Sequence, residues 1–80
     1  MKFRKKPVVI EAKQITLDSA LDVAQWCLGL VKVNPLRVVI PTLEGNMIGS
    51  LEDWIIKGTA GEFYPIKPDI LAQTYEKIED

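Results

Sequence analysis

Eighty residues, 48% of them hydrophobic, make one domain spanning 1–80, near the lower limit for a self-sufficient core. Ten basic against eleven acidic groups leave no global field for duplex nucleic acid, and zero histidines remove the commonest general base and zinc ligand. A lone Cys27 excludes an internal disulfide and a thiolate cluster, and no apolar run approaches the ~18 residues of a membrane span.

The chain opens on a charged lead-in, Met1 to Lys6, followed by Pro7. The apolar run after it, Val8-Val9-Ile10, is too short for a secretory signal, so a cytoplasmic protein is expected. Residues Val8 to Ile15 alternate with the two-residue period of a half-buried strand. Asp18 is placed to cap a helix over Ser19 to Leu28, whose stripe is Ala20, Val23, Ala24, Cys27 and Leu28. Gly29 reads as its left-handed stop. Cys27 reads as a small buried hydrophobe, and Trp26, off the stripe, as a rim residue or a partner contact.

Asn34-Pro35 signals a turn, and Leu36 to Ile40 a strand with Leu36, Val38 and Ile40 inward, ended by Pro41. Glu44-Gly45-Asn46 predicts a hairpin turn and Met47 to Ser50 the returning strand. Trp54 and Ile56 then share one strand face and Ile55 and Lys57 the other. Gly58 and Gly61 bracket a loop that makes Trp54–Lys57 and Glu62–Lys67 antiparallel partners. Pro65 marks an edge, Pro68 opens one or two helical turns, and Thr74 to Ile78 reads as a last strand. The expected class is α+β: one main helix on a strongly bent, mostly antiparallel sheet of five or six strands, a small half-open barrel.

Several motifs carry a resemblance. Arg4-Lys5-Lys6-Pro7-Val8-Val9-Ile10-Glu11-Ala12, Thr42-Leu43-Glu44-Gly45, Asp53-Trp54-Ile55-Ile56-Lys57-Gly58, Gly61-Glu62-Phe63-Tyr64-Pro65, Lys67-Pro68-Asp69-Ile70 and Thr74-Tyr75-Glu76 occur in that order. Together they resemble a family of small bacteriophage and prophage proteins of unknown function, over nearly the whole chain. The family usually has Gly where Glu52 stands and Phe where Leu71 stands; Glu52 argues against a tight positive-φ turn there. The resemblance implies a phage protein at work in the cytoplasm of an infected bacterium, in a setting where small proteins inhibit host proteins or sequester nucleotide-type immune signals.

No enzyme is expected, and no cofactor or metal. Glu52 and Asp53 would point to opposite faces of an extended segment, and Glu44, Asp53 and Glu62 match no metal-binding loop. Asp53 is more simply read as bonding the turn backbone. A nucleotide-type ligand would find flat surfaces in Trp54 and Tyr64. Its phosphates would find cations in Lys57, Lys67 and the cluster Arg4, Lys5 and Lys6, with Arg4 supplying the planar fork. Each of these also has a plain structural reading, as core ring or solvated charge. The leading expectation is a self-associating, non-enzymatic phage protein that sequesters a nucleotide-derived signal at a subunit junction. The alternative is a protein-binding inhibitor or interaction module, with a host protein as partner and no small ligand.

Overall fold

The computed structural model describes residues 1–3 and 8–78. Within them run β1 (Glu11–Gln14), α1 (Ala20–Trp26), β2 (Leu30–Lys32), β3 (Arg37–Thr42), β4 (Gly45–Ser50), β5 (Trp54–Lys57), β6 (Phe63–Ile66) and α2 (Pro68–Thr74). The class is α+β and every strand pairing is antiparallel. The expected single bent sheet is instead two three-stranded sheets, β1-β5-β6 and β2-β3-β4. Nor is there one main helix, since α1 and α2 are each seven residues long.

The split into two sheets is made at Leu51-Glu52-Asp53. The Asp53 N–H donates back to the Ser50 carbonyl at 3.0 Å, turning the chain out of β4 before β5 begins. The Glu52 N–H then donates to the Ile15 carbonyl at 2.7 Å, and the Ile15 N–H to the Asp53 carbonyl at 2.8 Å. These bonds fasten the turn to the end of β1 and leave β4 crossing the other sheet. At the crossing stands Gly49, buried, where an added Cβ would lie 2.7 Å from Ile15 Cδ1 and 3.0 Å from Ile55 Cδ1. Glycine is what lets the two sheets meet this closely.

The core is the space between the sheets and α1. Ile15, Ala20, Val23, Ala24, Cys27, Val38, Ile40 and Ile55 form one buried cluster, with Trp26, Val31, Leu36 and Phe63 packed against it. Val38 and Ile40 point inward as the alternation predicts. Trp26 is a rim residue: its ring meets Phe63 edge-on at 5.1 Å, and Lys13 Nζ lies 5.1 Å from its centre. The central strand β5 is buried on both sides, Ile55 in this cluster and Ile56 on the opposite face of its sheet.

Both ends of α1 differ from the sequence reading. Asp18 is exposed and does not cap the helix. The cap position is Ser19, whose side chain bonds no helix amide. Instead Thr16 Oγ1 accepts the Ser19 N–H at 3.1 Å while Ser19 Oγ accepts the Thr16 N–H at 2.9 Å. This reciprocal pair closes the turn that leads into the helix. At the other end the left-handed residue is Leu28 (φ 59°), not Gly29. The Gly29 N–H bonds the Ala24 carbonyl and the Leu28 N–H the Gln25 carbonyl, the paired bonds of a Schellman ending. Gly29 is needed for space instead, as its α-carbon passes beside the backbone of β3.

Other boundaries shift for local reasons. β1 begins at Glu11 rather than Val8, because its partner β5 ends at Lys57, opposite Glu11, and turns away at Gly58. Pro41 lies inside β3 rather than ending it. β2 reaches only to Val39, so the amide that Pro41 lacks has no strand beside it to serve. The β3–β4 turn is Leu43-Glu44, one place earlier than expected, with Gly45 at φ 116° opening β4. β2 itself was not foreseen. The expected strand over Thr74 to Ile78 does not form, because α2 uses its first residues: Thr74 Oγ1 donates to the Ile70 carbonyl and the Tyr75 N–H to the Leu71 carbonyl, each at 2.8 Å.

Glu52 does adopt a positive φ, 74°, against the expectation that a residue with a Cβ would avoid it. Its amide bond to Ile15 and its carbonyl, which accepts from Gln14 Nε2 at 3.0 Å, hold the backbone there. Left-handed backbone costs an L-residue roughly 1–2 kcal/mol, part of which glycine gives back through its looser unfolded chain. Glu52→Gly is therefore expected to stabilise the fold by about 1 kcal/mol. Urea denaturation checks this, and a lower midpoint would show that the Glu52 side chain matters more than its backbone strain.

Candidate binding groove

The described members of the predicted ligand set do not converge on one place. Trp54 and Tyr64 share a face of the β1-β5-β6 sheet, with Trp54 opposite Ile66 and Tyr64 opposite Ile56. Both rings are half-buried. Burial first, then Tyr75 just past α2 and the nearby Glu62 carboxylate, push the Tyr64 phenol above its usual value. Lys57 belongs to the opposite face, where it pairs with Phe63 and holds its Nζ 6.0 Å from that ring. Lys67 is tied to Asp53, with Nζ 3.0 and 3.1 Å from the two carboxylate oxygens. Arg4, Lys5 and Lys6 lie outside the described residues.

The Asp53 carboxylate is buried, and besides Lys67 it accepts the Ser50 N–H at 2.9 Å. That bond clamps the turn joining the two sheets, as the simpler reading of Asp53 expected. Its neighbour Glu52 is exposed. The pair therefore offers one solvated and one committed carboxylate, a poor arrangement for shared acid–base work. Glu44 lies in the β3–β4 turn, and Glu62 stands just before β6, where its carbonyl accepts the Gly58 N–H.

The two turn segments that carry these glutamates border an open groove of about 870 Å³. Leu28 contributes from the end of α1, Leu43 and Met47 from the β3–β4 hairpin, and Phe63 and Tyr64 from β6. Leu43 is fully exposed, Leu28 is 78% exposed, and Met47 is also open to solvent. The thiol of Cys27 lies beneath, its pKa raised because burial disfavours the thiolate. Among the described residues, the charged groups lining the groove are Glu44 and Glu62, with no lysine or arginine beside them. An apolar trough with two carboxylates at its lip suits a ligand that is apolar in body and positive in charge.

Sequence reading missed this groove because its parts come from three separated segments. One signal was available. Leu43 sits in a two-residue turn, where Gly, Asn and Asp are the usual occupants, so an exposed leucine there calls for a reason. No helix among the described residues is long and apolar enough to cross a membrane. No family model, curated protein or solved structure matches the chain.

Proposed function

We propose that this chain is a non-enzymatic binding module that captures a protein segment stoichiometrically in the Leu28–Leu43–Phe63 groove. The observation that carries the reading is the character of that groove: exposed aliphatic side chains beside the half-buried rings of Phe63 and Tyr64, bordered among the described residues by carboxylates alone. A phosphate-bearing ligand would be repelled by Glu44 and Glu62, whereas a segment with Lys or Arg beside a large apolar residue is matched on both counts. In the phage setting suggested by the resemblance, the partner is a host protein or another copy of the chain, met in the bacterial cytoplasm.

The test is an amide-resolved NMR titration with a short peptide of alternating aromatic and basic residues, and an acidic counterpart as control. Shifts concentrated at Leu28, Leu43, Met47 and Phe63 with the basic peptide alone are expected, and Leu43→Lys should abolish them. Saturable shifts on another surface, or equal response to the acidic peptide, would refute the reading.

The nucleotide-sequestering reading keeps one favourable observation, the shared face of Trp54 and Tyr64. Under it, cyclic and ADP-ribose-type nucleotides at about 100 times their dissociation constant would add roughly 2.7 kcal/mol and raise the melting temperature by several degrees. A flat panel is expected.

A further inference from the structure

We infer that the occupant of the groove is the lead-in segment Met1–Lys6 of a second copy of this chain. The inference rests on the protein-capture reading above and adds the partner's identity. The lead-in is the one stretch of the sequence that matches the groove's chemistry: two large apolar residues, Met1 and Phe3, interleaved with the cations Lys2, Arg4, Lys5 and Lys6. Met1 and Phe3 are left open to water, Phe3 at 90% exposure, so their apolar surface remains to be buried. The groove offers the complementary half, with Leu43 as exposed as Phe3 and with Glu44 and Glu62 at its lip.

Charge sorts the occupants. The chain carries ten cations against eleven acids, and four of the ten cations fall within its first six residues. That leaves six cations against eleven acids elsewhere, so the lead-in and the body of the fold attract one another. Phe3 brings the largest apolar area of the segment to the trough, and the flanking cations reach the two carboxylates. Because each copy carries both a donor segment and an acceptor groove, the contact can be exchanged reciprocally to close a dimer, or passed on head to tail.

Complementation between two variants of the full chain tests this directly. Phe3→Ala with Arg4→Glu disables the segment; Glu44→Lys with Glu62→Lys disables the groove. Phe3, Glu44 and Glu62 are exposed, and wild-type far-UV circular dichroism of each variant is the control that its fold is intact. Sedimentation velocity is expected to show the wild type self-associating and the segment variant weakened by about tenfold to a hundredfold, the range set by losing one buried aromatic side chain. The groove variant is weakened because two lysines then face the lead-in's cations. Mixing the two variants should restore association, since one intact segment then meets one intact groove. Raising salt should weaken the wild-type contact.

A wild type that stays monomeric at all concentrations would overturn the inference, as would variants that associate like the wild type or a mixture that fails to recover. A monomer that still binds the basic aromatic peptide in the groove would leave the capture reading standing and remove only the second copy as partner.

Discussion

Gly29→Ala is expected to cost about 2–3 kcal/mol, although it adds a single methyl group to a residue with ordinary backbone angles. A Cβ at this position would sit 2.5 Å from the Val39 carbonyl oxygen, and 3.2 Å from both Cys27 Sγ and Val38 Cγ1. Real Cβ atoms do not approach oxygen that closely, and the obstacle is backbone, which no rotamer change can move aside. Either β3 shifts or the end of α1 lifts away from it. Cys27 and Val38 are both core residues, so either movement opens the main cluster. For a domain of this size the loss corresponds to a fall in melting temperature of about 10–20 °C. A scanning calorimetry trace within about 2 °C of wild type would mean that α1 and β3 can separate at little cost.

Asp53→Ala is the second large effect, expected at about 2–3 kcal/mol. The carboxylate is 4% exposed and takes three hydrogen bonds, one from the Ser50 amide and two from Lys67. Most of the loss belongs to the Ser50 amide, whose bond is to a charged acceptor in a partly buried position. Lys67 contributes less, because its side chain is 63% exposed and water replaces its partner. Asp53→Asn separates the two contributions. Its amide oxygen can still accept from Ser50, so about half of the stability should return, while the ion pair with Lys67 is gone. Equal destabilisation by Ala and Asn in urea would show that the charge, not the Ser50 bond, holds the turn.

The two effects concern different joints. Gly29 governs how closely α1 sits on the β2-β3-β4 sheet, and Asp53 governs the turn that carries the chain from that sheet to the other. Their neighbours respond in the opposite sense: Glu52, one residue before Asp53, gains from becoming glycine, and Gly29 loses by ceasing to be one. Composition cannot separate these cases, because the first is a matter of φ and the second of what passes beside the α-carbon.

Much was legible from local pattern alone. The two-residue alternation of Val38 and Ile40, the Gly58–Gly61 loop between β5 and β6, Pro65 on an edge strand and Pro68 at the start of a helix all follow from one residue's bonding capacity or from a short period. So did the α+β class, because apolar stripes of two different periods in 80 residues leave few other ways to build a core. The division into two sheets was not legible. It depends on which strand Ile15 and Asp53 choose as neighbours across 38 residues, and both choices preserve the same alternation. The placement of the cations was equally hidden: Lys57 and Lys67 are ten residues apart, yet one reaches across a strand pair to Phe63 and the other to a buried carboxylate. By itself the sequence determined which residues avoid water and where the chain must turn, since both are properties of single side chains and short stretches. Only the tertiary structure decided that Leu28, Leu43, Met47 and Phe63 would share one groove, because bringing distant segments together is settled by the packing of the whole core.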